Sequence, residues 1–163
     1  LPGVGSFGDA MARIRSYELE AVIHKVVERK IPFLGICLGL QILFERSEES
    51  PGVEGLGLLK GEILRIPDKE GLKIPHMGWN SIHLQNEGRL FKGISQESYV
   101  YFVHSYYLKA EEEEIIKATT EYSTHIHASV EKGNLFACQF HPEKSSDLGL
   151  AILKNFAEIG EED

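Results

Sequence analysis

At 163 residues the chain suits one globular domain that buries roughly 70% of the surface its unfolded form exposes, enough to fold without disulfides or a structural metal. Hydrophobic residues make up 42% and charged residues 26%, which excludes the disordered and fibrous classes. The 17 Lys and Arg against 25 Asp and Glu leave a formal charge of -8, which disfavours nucleic acid and anionic membrane surfaces as partners.

The chain opens on Leu1-Pro2-Gly3-Val4-Gly5, read as the end of a strand entering a glycine turn, with something preceding it. Asp9 is then expected to cap a helix with apolar positions Met11, Ile14, Leu19, Val22, Ile23, Val26 and Val27, broken near Ser16. Residues 31–36 form a short apolar run that tolerates Pro32 near its start and reads as a strand. Residues 38–48 turn helical, giving strand, tight turn and helix, half of a βαβ unit. Glycines at 52, 55, 57 and 61 make the middle turn-rich, with β-like runs at 61–66 and 82–84. Residues 99–108, 115–122, 126–130 and 135–140 read as four strands, the last two joined by a hairpin at Glu131-Lys132-Gly133-Asn134. Asp147 or Ser146 caps a final helix carrying Leu148, Leu150, Ile152, Leu153, Phe156 and Ile159, and the acidic run 111–114 reads as a solvated connection. The expected architecture is α/β with an embedded antiparallel portion.

Two cysteines, no apolar run near the ~18 residues of a membrane span and no signal-peptide pattern point to a reducing cytoplasm. Cys37 sits where an apolar strand turns sharply into a helix between Gly35 and Gly39, the layout of a nucleophile elbow with sulfur in place of a hydroxyl. There the helix N-terminus lowers the thiol pKa, and the N–H of Leu38 points at a developing oxyanion. A buried, inert cysteine is the competing reading. His141 precedes Pro142, which keeps it out of the helical region and turns an exposed imidazole off the sheet edge. Glu143 accepts its second ring N–H and sets the tautomer, the role of the acid in a triad; a surface His beside a surface Glu is the plain alternative. Cys138 alternates with Phe136 and Phe140 and reads as core. Cys37, His104, His141 and Glu143 are all zinc-ligand types, but no metal-binding spacing supports such a site, and no cofactor motif is present.

Gly35-Ile36-Cys37-Leu38-Gly39-Leu40-Gln41 and Phe140-His141-Pro142-Glu143-Lys144-Ser145 resemble the nucleophile and acid-base motifs of class I glutamine amidotransferases. Pro2-Gly3-Val4-Gly5-Ser6-Phe7-Gly8, Pro75-His76-Met77-Gly78-Trp79-Asn80 and Tyr101-Phe102-Val103-His104-Ser105-Tyr106 narrow the resemblance to the glutaminase subunits of imidazole glycerol phosphate synthases. The resemblance implies a flavodoxin-like mixed sheet flanked by helices, and a Cys37, His141 and Glu143 triad that hydrolyses glutamine. It further implies an oxyanion loop at Gly3, Val4 and Gly5, and substrate contacts from Gln41 and from His104, Ser105 and Tyr106. Trp79, Asn80, Tyr101 and Lys144, with Trp79 in a Pro/Gly-punctuated loop, would then face a cyclase (β/α)8-barrel partner that receives the ammonia. Members of that family carry roughly 40 further residues, one βαβ unit, before the Pro-Gly-Val-Gly loop, so residues 1–163 read as a single amidotransferase domain truncated at its N-terminus, its N-terminal strands missing. A glutaminase for another ammonia-using synthase, and a binding subunit impaired by the missing strands, are the alternatives.

Overall fold

The computed structural model of the chain describes residues 1–3 and 5–161. Helices α1 (Phe7–Ser16) and α2 (Leu19–Glu28) precede strand β1 (Phe33–Ile36) and the one-turn helix α3 (Leu38–Gln41). Strands β2 (Arg46–Ser47), β3 (Gly61–Arg65), β4 (His76–Leu84), β5 (Ser98–His104), β6 (Tyr106–Ala110), β7 (Ile116–Tyr122), β8 (Thr124–Lys132) and β9 (Leu135–Cys138) follow, and α4 (Ser146–Glu161) ends the described chain.

The start of α1 is set by Ser6 rather than Asp9. Ser6 Oγ accepts from the Asp9 N–H at 3.1 Å, and the Ser6 carbonyl accepts from Ala10. The two remaining free N–H groups of this first turn donate across the fold, Phe7 to Glu49 Oε1 at 2.7 Å and Gly8 to Ser50 Oγ at 2.8 Å. Asp9 contributes its charge to the helix dipole instead of a cap. The expected break near Ser16 is present: α1 stops there, and Glu18 in the left-handed region starts α2.

A six-stranded mixed sheet runs in the order β1-β9-β8-β7-β4-β5, with β1 parallel to β9 and the other neighbours antiparallel. Leu1 donates to the Leu34 carbonyl at 2.6 Å and accepts from Ile36 at 3.0 Å, the bonds of a parallel ladder on the outer side of β1. Alternation along β9 sends Leu135 and Ala137 to one face and Phe136 and Cys138 to the other; Val130 of β8 joins the first, and Ala128, the extra residue of a bulge opposite Ala118 and Thr119, joins the second. The first face packs on Phe7, Met11 and Ile14 of α1 and Ile23 of α2; the second packs on Ile152 and Ile159 of α4. Cys138 is fully buried in the second face with Phe136 and Phe140, as its strand position implied. The β8–β9 hairpin turns at Gly133, with Lys132 opposite Leu135. No described helix is long and apolar enough to cross a membrane.

Three expectations fail for tertiary reasons. The helix expected over 38–48 ends at Gln41, because the carbonyls of Ile42, Leu43 and Phe44 accept from the backbone of Leu56, Leu58 and Gly57 instead of from the next turn. The single strand expected over 99–108 is two. At Ser105 the chain leaves the large sheet for a small one ordered β2-β3-β6, where the Ser105 carbonyl accepts from Ile66. The Pro/Gly-punctuated segment that was expected to be a loop around Trp79 is the start of the nine-residue β4, paired with β5 from His76↔His104 to Ile82↔Ser98.

Candidate active site

β1 and β9 end side by side, and their last parallel bond, from the Cys37 N–H to the Cys138 carbonyl at 2.8 Å, delivers Cys37 to the carboxyl end of the sheet. Cys37 itself has φ 55 and ψ -108, a conformation that side-chain-bearing residues rarely adopt and that turns the chain abruptly into α3. The flanking glycines make the turn possible. A Cβ on Gly35 would lie 2.5 Å from the Gly39 carbonyl oxygen, and one on Gly39 would lie 1.9 Å from that of Leu1. Backbone crowding therefore requires both glycines, independently of any ligand.

His141 lies beside this turn, held by its N–H on the Tyr101 carbonyl. His141 is only 5% exposed, contrary to the exposed imidazole expected from the pre-proline rule, because β5 and the turn at 142–145 close over it. Nδ1 lies 2.5 Å from Glu143 Oε1. A carboxylate only accepts, so Nδ1 carries a proton, and in the neutral ring it is Nε2 that keeps the lone pair. That Nε2 is buried and, among the described residues, has no hydrogen-bond partner. Cys37 and His141 line the same cleft of about 330 Å³, at the small end of ligand pockets.

The electrostatics of Cys37 differ from the sequence expectation. Burial pushes the thiol up to about 11, and Glu143 adds to the rise; the Leu38 N–H, Lys144 and Gln139 pull the other way without prevailing. A four-residue helix has too little dipole to offset burial. Ionisation of this sulfur thus needs a nearby base, and the vacant lone pair of His141 shares its cleft.

Gly3, Gly5, Leu38, Gln41, His104, Ser105 and Tyr106 line the cleft as well. Val4 lies outside the described residues. Trp79 and Tyr101 form a cross-strand edge-to-face pair with ring centroids 6.0 Å apart, Trp79 being 53% exposed. The Tyr101 N–H donates to Ser145 Oγ, which ties the turn carrying exposed Lys144 to β5. Asn80 is turned away from them: its amide donates to the Glu121 carbonyl at 3.0 Å and lies 3.3 Å from His76 Nε2.

Sequence reasoning missed two residues. Gln139, fully buried, donates to Cys37 Sγ at 3.7 Å and accepts from Gln41; an amide inside an otherwise apolar strand was the available signal. His76 stacks on Phe102 and Tyr122 and places Nδ1 2.9 Å from His104 Nε2. His104 Nδ1 faces the Tyr106 carbonyl at 2.8 Å and must donate, so its Nε2 accepts from His76. Burial favours the neutral form of both rings.

Burial lowers His76 to about 4 and His104 to about 3, the latter also feeling His76 and His141; His127 is lowered in the same sense by burial and by His125. The unfolded chain binds protons at these histidines near pH 6.5, whereas the folded chain does not until much lower pH. Their contribution to stability is therefore complete above about pH 6.5 and is lost as pH falls toward 4. Urea titrations are expected to show the unfolding constant rising by nearly two protons' worth per pH unit between about pH 6 and 5, or more with His127. A pH-independent midpoint across that window would overturn the neutral assignment.

The family described as glutamine amidotransferase class-I matches residues 1–159. The chain is 54% identical to the imidazole glycerol phosphate synthase subunit HisH of Moorella thermoacetica over 98% of its own length and 75% of that relative's. It is 50% identical to the protein of the same description from Methanocaldococcus jannaschii, over 98% of its length and 79% of the relative's. Among solved structures, a glutamine amidotransferase superposes with a TM-score of 0.71 at 20% identity, covering 98% of this chain and 77% of that one. PurLQS from Thermotoga maritima superposes with a TM-score of 0.65 at 21% identity, covering 86% and 68%. At such identities the superpositions speak to the fold, a mixed sheet flanked by helices as expected.

Proposed function

Because the chain belongs to the class-I glutamine amidotransferase family, we propose that it hydrolyses glutamine to glutamate and ammonia as the glutaminase subunit of an imidazole glycerol phosphate synthase. The ammonia passes to a cyclase subunit, a (β/α)8 barrel, that makes imidazole glycerol phosphate and AICAR from PRFAR in histidine biosynthesis, in the cytoplasm. One observation carries the chemistry: a thiol and an imidazole with a free lone pair line one cleft, and the imidazole's other nitrogen is fixed by a carboxylate.

In this reading His141 Nε2 takes the Cys37 proton as the sulfur attacks the carboxamide carbon. The Leu38 N–H and the Gly3 and Gly5 backbone face the tetrahedral oxyanion. Collapse breaks the C–N bond, and the proton held on His141 leaves with the departing ammonia. Water, giving a proton to the same Nε2, then cleaves the thioester to glutamate and returns the thiol. Glu143 holds the ring throughout and stabilises its charged form. Both hydrogens of the Gln41 amide are committed, to the Tyr106 carbonyl and to Gln139, so Gln41 offers substrate its carbonyl oxygen. The strand segment His104, Ser105 and Tyr106 borders the amino-acid end. Trp79, Tyr101 and Lys144 form the docking face, an aromatic pair and a cation.

Ammonium is not nucleophilic at neutral pH, so hydrolysis is useful only while a partner covers the cleft. Glutamate release by the chain mixed with the cyclase subunit and its ribonucleotide is expected to exceed that of the chain alone by about 10² or more, the worth of one oxyanion donor brought into place. Equal release with and without the partner would overturn the coupling. Release in neither condition, with Cys37 unlabelled by an electrophilic glutamine analogue, would overturn the glutaminase assignment.

A further inference from the structure

Gln139 follows the last residue of β9, and its N–H still donates to the Ala128 carbonyl, so the sheet places it beside Cys37 with no freedom of register. It is fully buried. A leucine would fill such a position without the desolvation that an amide incurs, so the amide is tolerated only because both of its ends are bonded.

The direction of those bonds follows from chemistry. The Tyr106 carbonyl can only accept, so the end of Gln41 that faces it at 3.1 Å is the amino end. The second hydrogen of that amino end points to Gln139 at 3.1 Å, so the Gln139 atom there is its carbonyl oxygen. The amino end of Gln139 is then the one that faces Cys37 Sγ at 3.7 Å. The thiol's own hydrogen has an acceptor in the Val103 carbonyl at 3.8 Å, so Sγ is free to receive from Gln139.

We propose that Gln139 is a further catalytic residue: its side-chain amide donates to the Cys37 sulfur and stabilises the thiolate, and its carbonyl holds Gln41 in the orientation that faces substrate. The proposal rests on the reading of Cys37 as the nucleophile. When the S–H proton moves to His141 Nε2, the sulfur becomes an anion in a buried site, and the Gln139 N–H···S bond changes from a neutral contact to a charge-assisted one. The bond is therefore stronger in the ionised state than in the resting thiol, which is the condition for accelerating the reaction rather than merely binding. Burial working against ionisation at this sulfur makes such a donor useful.

The test is the rate of Cys37 alkylation by iodoacetamide between pH 7 and 9.5, followed by peptide mass spectrometry so that Cys138 is counted separately. In this range the rate is proportional to the thiolate fraction. Gln139→Leu, close in volume and without donors, is expected to lower the rate about tenfold at each pH, the loss of one charge-assisted bond. Gln139→Glu keeps an acceptor for Gln41 but places a like charge at the sulfur; it is expected to lower the rate further and to reduce kcat while changing KM for glutamine little. Gln139→Leu, which releases Gln41 too, is expected to raise KM as well. A purely structural role would move thermal stability and leave the alkylation rates superimposed on the unmodified chain, and that outcome in folded Gln139→Leu or Gln139→Glu overturns the proposal. Failure of the underlying reading looks different: Cys37→Ser would then retain glutaminase activity whatever residue stands at 139.

Discussion

Cys37→Ala is expected to lower glutamine hydrolysis by on the order of 10⁴ or more in kcat, since without the sulfur no covalent intermediate forms and only binding and oxyanion stabilisation remain. The fold is expected to persist. Alanine at φ 55 incurs the same backbone strain as the cysteine it replaces, and the hydrogen bonds lost with Sγ to Val103 and Gln139 are long. Thermal unfolding and partner binding should therefore be close to those of the unmodified chain while activity is lost. Cys138→Ala is the control, since that sulfur is sealed in the apolar face, its thiol pushed up to about 12 by burial, and is expected to cost stability rather than turnover. Labelling of Cys138 by an electrophilic glutamine analogue, with Cys37 untouched, would overturn the assignment of the nucleophile.

His141→Asn carries the second large effect, and its signature is a pH profile. With a thiol near 11, only about one molecule in 3,000 holds a thiolate at pH 7.5 when no base assists, since the two values differ by about 3.5 units. Loss of the base is therefore expected to reduce kcat by about 10³ at that pH, with the residual rate climbing nearly tenfold per pH unit up to pH 9.5 as the thiolate fraction grows. The unmodified chain, in which the proton passes to a ring already oriented by Glu143, is expected to show a shallower dependence. Added imidazole should restore part of the variant's rate by supplying the missing lone pair. A variant whose rate falls without steepening in pH would assign His141 to substrate binding instead.

The local chemistry of the chain was legible in its sequence wherever neighbours in sequence are neighbours in space. The sharp turn at glycine-flanked Cys37 into a helical turn, the break between α1 and α2, the Gly133 hairpin and the Glu143 partner of His141 depend largely on contacts a few residues apart, so spacing goes far to determine them. What depends on burial or on distant backbone had to wait for the tertiary structure. The helix after Cys37 stops at Gln41 because a loop 14 or so residues away captures its carbonyls, and the apolar run at 99–108 splits at Ser105 because two sheets compete for its edges, forming one wall of the cleft. A thiol at a helix N-terminus implies a lowered pKa from the motif alone; burial reverses the sign, which is why the proposed chemistry calls on His141 as base and Gln139 as donor. Spacing determines which groups meet along the chain, but the dielectric around them and the orientation of an amide such as Gln139 are set by everything packed against them, and that exists only once the chain has folded.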